Sequence, residues 1–366
     1  MPHFPPVLKR PNPGLLLIFG ASFAASFTYR HYTSTSSPTS PALNPHTFTP
    51  FTLVSKQPVS SSSSLFTLRH AGGASEPAAL TAVRSKGVWS VQIKQPQLQI
   101  ARAYTPLPPH DASSASSATA AAAELRLLIR REEKGEVSGY LHALPEQATV
   151  ELRGPVVELE IPDEVDEVLF LAGGTGIAPA MQVAHALAGR GGKSMHVLWA
   201  NRRREDCVGG RNKGTAKEAT GLLGWMAGRR RGVRGQREGE VEEDGGPGAK
   251  GPEAERLGVV VQELEGLRRR FRGAAGEEVF GVDYFVDEEK GSIGPEYVLK
   301  RVRRTDLRSE SGNVGTGKKL ILVSGPEGFV KYWAGPKAWA DGREVQGPLG
   351  GVLGQLNLEG WRVWKL

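Results

Sequence analysis

Seven residues near the middle of the chain, 173–179 (GGTGIAP), have the composition of a turn that binds phosphate. They follow the apolar segment 168–172 and precede an Ala-rich segment at 179–189. Glycines in such a turn let backbone N–H groups approach a diphosphate, and the N-terminus of the following helix adds a partial positive charge. Pro179 is compatible with the first turn of a helix, where its missing N–H has no intrahelical partner. Taken alone, the segment could also be a tight structural turn.

Two further groups of residues have side chains suited to an anionic cofactor. Residues 102–106 (RAYTP) end a strand-like segment, and residues 135–138 (GEVS) precede the apolar segment 140–144. An arginine supplies a planar cation that can pair with phosphate through two hydrogen bonds. Each group also has a structural explanation, because Tyr104 fits a half-buried strand and Ser138 fits a helix N-cap. Function is therefore indicated only by their combination.

Short apolar or alternating segments in the first half of the chain predict an antiparallel β-barrel. They are separated by Pro, Gly and Ser, which favour tight turns between neighbouring strands. Residues 108–121 are rich in Ser and Ala and are expected to form a surface insertion. The predicted strands are 51–56, 65–69, 88–94, 98–104, 125–130 and 149–152.

After Pro162 the pattern changes to that of an α/β domain with a parallel sheet. Residues 168–172, 179–189 and 195–200 have the order strand, helix, strand. A Gly-, Arg- and Glu-rich segment at about 202–252 is expected to be a disordered loop inserted in a surface connection. We predict a barrel domain at 51–162 and a nucleotide-binding domain at 163–366. The second domain is predicted to continue with a helix at 255–271 and strands at 282–286 and 320–324.

Composition limits the classes of function. The chain has 366 residues, of which 39% are hydrophobic, enough for two domains with cores. Its net charge of +7 could suggest nucleic-acid binding, but Lys and Arg concentrate around 202–237 rather than among stacking aromatics. We therefore expect no nucleic-acid partner. The single cysteine, Cys207, excludes an internal disulfide or a multi-cysteine metal site and is expected to be an incidental loop thiol.

The N-terminal region has the bias of a mitochondrial presequence, because its first acidic residue is Glu76. Lys9 and Arg10 precede an uncharged interval of 19 residues, 11–29, close to the roughly 20 that a spanning helix needs. We predict a single membrane anchor followed by a Ser/Thr/Pro-rich linker to about residue 50. A secretory signal peptide, or a cleaved presequence without an anchor, would also fit these residues.

In order along the chain, the motifs resemble those of the ferredoxin–NADP reductase superfamily, and within it the cytochrome b5 reductase-like branch. The resemblance extends from about residue 51 to the C-terminus, apart from the two low-complexity insertions. It implies an FAD-binding barrel followed by an NAD(P)-binding domain, with FAD and NADH or NADPH as cofactors. The five motifs are 102–106 (RAYTP), 135–138 (GEVS), 153–155 (RGP), 173–179 (GGTGIAP) and 324–329 (SGPEGF).

The resemblance also implies a role for each matching residue. Arg102 would neutralise the FAD pyrophosphate, Tyr104 would lie against the isoalloxazine, and Thr105 would hydrogen-bond near the flavin N5. The remaining contacts would be made by Gly135, Val137 and Ser138 to the FAD pyrophosphate, by Gly173, Gly174, Thr175 and Gly176 to the nicotinamide nucleotide's diphosphate, and by Gly325, Pro326 and Glu327 around the nicotinamide.

Ser324 departs from the pattern, because many relatives have a Cys at this strand end facing the nicotinamide. We assign Ser324, with Thr105, to the catalytic site. A serine is smaller and less polarizable, so hydride transfer is expected to be slower or the nucleotide preference altered. The flavin performs the chemistry, so no acid or base is lost.

Within the superfamily, residues 51–56, 89–109 and 324–366 resemble a fungal group of mitochondrial inner-membrane flavoproteins that assist cytochrome c maturation. That resemblance implies a catalytic domain facing the intermembrane space. It also implies haem, or cytochrome c with its haem lyase, as partner.

The leading hypothesis is that NAD(P)H reduces FAD, which then passes single electrons to haem or a haem protein. One alternative is a cytochrome b5 reductase-like enzyme with another acceptor. Another is a non-catalytic assembly factor that keeps the fold. Residues 201–204, with three arginines, would decide between NADH and NADPH; the arginines could bind a 2′-phosphate or simply be solvated.

Overall fold

The computed structural model describes residues 42–72, 78–109, 124–212, 257–271, 279–310 and 318–366. The predicted membrane anchor, most of the insertion at 108–121 and the part of the 202–252 insertion beyond residue 212 lie outside these ranges. No helix in the described ranges is both long enough and apolar enough to span a bilayer.

The first half of the chain forms a six-stranded antiparallel sheet. Alternate residues of β1 are buried, among them Phe51 and Leu53, because successive side chains of a strand point to opposite faces. Helix α1 (Ala78–Arg84) and helix α2 (Glu136–Ala143) accompany the sheet. The strands are β1 (Thr49–Pro58), β2 (Ser63–His70), β3 (Gly87–Gln95), β4 (Ile100–Tyr104), β5 (Glu124–Arg130) and β6 (Thr149–Glu160), in the spatial order β4-β3-β6-β1-β2-β5.

The two edge strands of this sheet, β4 and β5, are brought together by the segment that follows β4. Pro106 makes an antiparallel bridge with Leu127 of β5, and Leu107 N donates to Arg126 O at 2.7 Å. The sheet therefore closes on itself in the manner of a barrel, which confirms the predicted fold class.

Two details differ from the sequence-based expectation. Gly154 and Pro155 lie beyond the predicted strand at 149–152, yet they belong to β6 and are joined by a cis peptide bond. The expected linker reached about residue 50, but Leu43 is buried and β1 already begins at Thr49. Polar composition hid this start because a single buried leucine gives no periodic signal.

The second half of the chain forms a five-stranded parallel sheet with helices on both faces. Its central strands are almost continuously apolar because they are buried on both faces. The strands are β7 (Val165–Gly173), β8 (Ser194–Asn201), β9 (Phe280–Val286), β10 (Lys318–Ser324) and β13 (Trp361–Lys365), in the spatial order β13-β10-β7-β8-β9. The helices are α3 (Ile177–Ala188), α4 (Val259–Arg270), α5 (Pro295–Glu310) and α6 (Glu327–Ala334), and β11 (Ala338–Ala340) with β12 (Arg343–Val345) forms a separate hairpin.

The order of the parallel strands reverses at β7. From β7 the chain proceeds to β8 and β9 on one side, then returns to β10 and β13 on the other. The turns that leave β7 and β10 diverge to opposite sides at such a point, which opens a crevice at the carboxyl ends of the two strands. Both predicted nicotinamide-nucleotide motifs, 173–179 and 324–329, begin at this crevice.

Side-chain amides occupy the outer edges of the parallel sheet. Asn212 Nδ2 donates to Tyr284 O at 3.0 Å, and Tyr284 N donates to Asn212 Oδ1 at 2.7 Å, on edge strand β9. On the other edge, Gln346 Nε2 donates to Lys365 O and Lys365 N donates to Gln346 Oε1, both at 2.8 Å. Each amide takes the place that one residue of a further strand would take.

The barrel and the α/β domain share one hydrophobic core cluster, which contains Val88 and Leu128 from the barrel with Phe170 and Met181 from the α/β domain. Arg126 of β5 also forms a two-pronged ion pair with Glu263 of α4, and these side chains are only 13% and 9% exposed. Arg–carboxylate pairs of this geometry fix relative orientation as well as adding energy. The two domains are therefore in direct, buried contact.

Candidate functional site

A cavity of about 390 Å³ lies between the barrel and the carboxyl ends of β7 and β10. Residues from both domains line it, and four of the five predicted motifs contribute to the lining. The lining residues predicted from sequence are Arg102, Tyr104, Thr105, Gly135, Val137, Ser138, Thr175, Gly176, Ser324 and Gly325.

Strand β4 delivers Arg102 and Tyr104 to this cavity. Arg102 Nη1 donates to Ala101 O at 3.1 Å, and no carboxylate of the described residues is recorded in an ion pair with its exposed guanidinium. Burial raises the pKa of Tyr104 to about 12, although the positive charge of Arg102 opposes that shift. Tyr104 therefore remains a neutral phenol at physiological pH and can donate a hydrogen bond beside an anionic cofactor.

The N-terminus of α2 also faces the cavity. Gly135 is its N-cap, and no side chain caps the first-turn N–H groups. Ser138 Oγ instead accepts from Glu132 N and donates to Gly135 O, both at 3.2 Å. A Cβ at Gly135 would lie 2.3 Å from Ser138 Oγ, so the loop can only be this tight with glycine there. These backbone donors, which have no side-chain cap, form the kind of helix terminus that binds phosphate.

The glycine-rich turn after β7 packs tightly against the turn after β10. A Cβ at Gly176 would lie 2.4 Å from Ser324 O, and a Cβ at Gly325 would lie 3.0 Å from Gly173 O. Gly174 has a φ of +53°, in the left-handed region that favours glycine. Gly176 is the N-cap of α3, which also has no side-chain cap. A second helix N-terminus therefore faces the same cavity.

Four predicted cofactor contacts do not line this cavity. A Cβ at Gly173 would meet the ring of Phe329 at 2.9 Å, and Gly174 O accepts a hydrogen bond from Trp199 Nε1 at 2.9 Å. Pro326 is the N-cap of α6, and Glu327 is an exposed residue of its first turn. These residues shape or flank the turns, and their contacts with a cofactor stay predictions.

The RGP motif, which carried part of the resemblance, is held away from this cavity. Arg153 Nε donates to Gln92 Oε1 at 2.7 Å, and its guanidinium lies 4.8 Å from the centre of the Phe48 ring. Gly154 N donates to Asn44 O at 2.9 Å. This motif connects the start of the described chain to the barrel.

Sequence reasoning missed three charged lining residues, Arg130, Glu132 and Glu136. Arg130 ends β5, and a Cβ at Gly174 would lie 3.9 Å from its Nη1. It therefore stands between the barrel and the glycine-rich turn. Its position at the end of a predicted strand was a usable signal, but the charged residues that follow, 131–134, are equally compatible with a solvated loop.

Two of the three arginines after β8 are already paired. Arg203 Nη1 donates to Ser61 Oγ at 3.0 Å and to Glu205 Oε1 at 3.3 Å. Arg204 Nε donates to Glu289 Oε1 at 2.7 Å. These ion pairs reduce the positive charge that a 2′-phosphate would meet. Cys207, expected in a loop, is buried, and burial raises the pKa of its thiol to about 11.

The residues around the cavity fit a dinucleotide cofactor. Two uncapped helix N-termini and the Arg102 guanidinium converge on it, which suits pyrophosphate groups. Tyr104 and Thr105 add an aromatic face and a hydroxyl from one strand end. Such a set can bind phosphates from two directions while presenting a flat surface to a ring.

Two domain families match the chain. The oxidoreductase FAD-binding domain matches residues 50–161, and the oxidoreductase NAD-binding domain matches residues 170–231. The first corresponds to the barrel and the second begins in β7. These two domain families confirm the FAD and nicotinamide-nucleotide cofactors predicted from sequence.

Three curated proteins are similar to parts of the chain. An uncharacterized FAD-binding protein of Schizosaccharomyces pombe is 31% identical over 173 residues, covering 47% of this chain and 58% of that protein. NADH-cytochrome b5 reductase 2 of Kluyveromyces lactis is 22% identical over 247 residues, covering 66% and 62%. The cytochrome c mitochondrial import factor CYC2 of Saccharomyces cerevisiae is 34% identical over 90 residues, covering 23% and 25%. The chain thus spans less than two thirds of each relative.

Proposed function

We propose that this chain is an NAD(P)H-dependent flavin oxidoreductase of the cytochrome b5 reductase type, because an FAD-binding and an NAD-binding oxidoreductase domain match it. The observation that carries the proposal is the single cavity where both domains present phosphate-binding backbone and Arg102. Two dinucleotides can therefore meet at one place.

The proposed roles follow from what each residue offers. Arg102 and the N-terminus of α2 bind the FAD pyrophosphate, while Thr175 and Gly176 at the N-terminus of α3 bind the diphosphate of the nicotinamide nucleotide. Tyr104 supplies a neutral ring surface, and Thr105 supplies a hydroxyl that can hydrogen-bond to the edge of a flavin. When bound, FAD supplies the ability to accept two electrons together and release them singly.

Ser324 and Gly325 complete the proposed nicotinamide side of the cavity. The contact between Gly176 and Ser324 fixes the distance between the diphosphate turn and the end of β10. Ser324 is buried, so it excludes water from this side without supplying a charge. The proposed function of these residues is to orient the two rings and keep them dry, since the reaction itself needs no protein acid or base.

We further propose haem or a haem protein as the electron acceptor, and a mitochondrial role in cytochrome c maturation. The names of the Kluyveromyces and Saccharomyces relatives support this acceptor class and this compartment. The carboxylate-free residues 1–75 support mitochondrial targeting. The inner membrane, with the catalytic domain in the intermembrane space, is the proposed location. Cytochrome c haem lyase is the proposed partner.

The test is to purify the full chain, record its visible spectrum, and add NADH or NADPH without oxygen. We expect a flavin spectrum that bleaches, faster with one nucleotide than the other. The reduced protein is then mixed with ferric cytochrome c, cytochrome b5, free haem or ferricyanide. If the reduced protein reduced only ferricyanide, the proposed haem acceptor would be wrong, whereas the proposed oxidoreductase activity would still stand. A folded protein that binds no flavin would overturn the oxidoreductase itself.

A further inference from the structure

A buried glutamine connects the two domains next to Thr105, a residue that lines the cavity. Gln182 lies in α3, the helix that begins at the glycine-rich turn, and its side chain is 96% buried because only 4% of the residue is exposed. Its Oε1 accepts from Trp89 N of β3 at 2.9 Å, and its Nε2 donates to Pro106 O at 2.8 Å. Both partners are backbone groups of the barrel.

The amide of Gln182 stands where the ladder between β3 and β4 would otherwise continue. That ladder runs from Gln95 opposite Ile100 to Val91 opposite Tyr104. Two more steps would set Trp89 opposite Pro106, but Pro106 instead bridges to Leu127 of β5. The strands therefore separate after Tyr104, and Gln182 fills the gap with one donor and one acceptor. A buried peptide group in such a gap needs a partner of this kind.

Thr105 is the residue at which the strands separate. The pair between Val91 and Tyr104 fixes the backbone before it, and Gln182 with the Leu127 bridge fixes the backbone after it. Thr105 lines the cavity, whereas neither Gln182 nor its two partners does. The position of the Thr105 hydroxyl therefore depends on a side chain that belongs to the nucleotide-binding domain.

We propose that Gln182 is a positioning residue for hydride transfer, which rests on the proposed function above. It ties the helix behind the nicotinamide-nucleotide turn to the backbone that carries Thr105. The flavin edge and the nicotinamide are thereby held in register by one amide. Small displacements matter in such a site, because a shift of about 1 Å in a reacting pair can cost roughly 100-fold in rate.

The experiment compares Gln182→Met with a matched variant, Arg190→Met, in the flavin-bound full chain. Arg190 follows the same helix and also joins the domains, through Ile161 O at 2.8 Å and Ser85 O at 2.9 Å, but it contacts nothing near Thr105. Both variants are expected to lower the Tm. Stopped-flow bleaching with NADH should be about 10- to 100-fold slower in Gln182→Met, with little change in the Kd for NADH, and near the wild-type rate in Arg190→Met.

A double-mutant cycle with Thr105→Ala tests whether Gln182 acts through Thr105. Adding Gln182→Met to Thr105→Ala should slow bleaching much less than it does alone, because the hydroxyl it positions is gone. If Gln182→Met does not retain flavin, Gln182→Glu is measured across a pH range. Its carboxyl keeps the acceptor for Trp89 N and loses the donor to Pro106 O on ionisation, so bleaching should slow as pH rises relative to wild type. Equal bleaching rates for the Gln182 and Arg190 variants, or full additivity with Thr105→Ala, would overturn this inference and leave the proposed function standing. A wild-type protein that holds flavin but never bleaches would overturn the proposed function with it.

Discussion

The two ends of the parallel sheet use polar residues in opposite ways. At the carboxyl ends of β7 and β10, backbone donors of two turns face a cavity. At the amino ends of β7 and β8 and in the middle of β9, polar side chains pair with one another. There His196 Nε2 lies 2.9 Å from Asp283 Oδ2, Arg301 also binds Asp283, and Ser194 Oγ binds Glu167.

The difference lies in what the polar groups contact. A cavity of about 160 Å³ also lies beside the amino-end residues, but their side chains already pair with one another. Burial alone would raise the pKa of Asp283, but its hydrogen bonds and charge interactions with His196 and Arg301 outweigh burial and lower it. The amino end is thus a compensated network that serves stability. We expect substitutions at the carboxyl end to change activity and those at the amino end to change the free energy of unfolding.

The largest effect is expected from Gly176→Ala. A Cβ there would lie 2.4 Å from Ser324 O and 2.6 Å from Ser324 C, so the two turns must separate. We expect kcat/KM for NADH to fall by about 100-fold. Gly189→Ala is the control, since Gly189 has helical φ and ψ and its added Cβ would have nothing nearer than 3.9 Å. Equal activity of the two variants would break the assignment of the carboxyl end to nucleotide binding.

A smaller effect is expected from Arg102→Leu. Loss of charge-assisted hydrogen bonds to a phosphate should weaken FAD binding by roughly 10- to 30-fold, about 2 kcal/mol. Equilibrium dialysis of flavin from the purified protein measures it. Arg69→Leu is the control because that arginine binds Glu124 on the barrel surface. Unchanged flavin affinity in Arg102→Leu would show that the FAD pyrophosphate does not bind at Arg102.

At the amino end, Asp283→Asn should lower the free energy of unfolding by roughly 2 kcal/mol at pH 7 and leave kcat unchanged. The pKa of Asp283 is held below its ordinary value of 3.8, so its contribution is present above that pH and lost as pH falls through the native pKa. The difference between variant and wild type should therefore shrink below about pH 4. Urea titrations at several pH values measure this. A loss of activity with an unchanged free energy of unfolding would contradict the assignment of this end of the sheet to stability.

The smallest effect is expected from Ser324→Cys. Ser324 is buried at the end of β10, and a thiol is slightly larger and more polarizable than a hydroxyl. Hydride transfer should change by only a few-fold, with no change in Tm, because the protein supplies no acid or base there. Stopped-flow bleaching with NADH and NADPH measures both the rate and the preference. A change of several orders of magnitude would show that Ser324 does more than pack.

Much of this architecture was readable in the sequence because its signals are local. The strand, glycine-rich turn and helix at 168–189 are contiguous, and the structure has them as β7 and α3. Sheet closure through Pro106 and the reversal of strand order at β7 depend on pairings between distant residues. No periodicity reports such pairings, so the sequence predicted a barrel and a parallel sheet but not these two connections.

Other elements were missed for identifiable reasons. Helix α5 is highly charged and follows a Gly-rich segment, so its apolar positions, such as Val298 and Val302, were not recognised as a stripe. Strand β13 (WRVWK) is short and alternates aromatic with basic residues. Gln182 gave no signal at all, because a glutamine in an Ala-rich helix is ordinary until its barrel partners are known.

The amides on the two outer strands also affect how the protein meets copies of itself. An open strand edge is a template to which another chain can add, the first step toward aggregation. Here a strand from another chain would have to displace Asn212 from Tyr284 in order to pair with β9. To pair with β13 it would have to displace Gln346 from Lys365. Each displacement would break two hydrogen bonds before a new one formed. A protein handled at high concentration would thus be protected at both edges by two uncharged side chains.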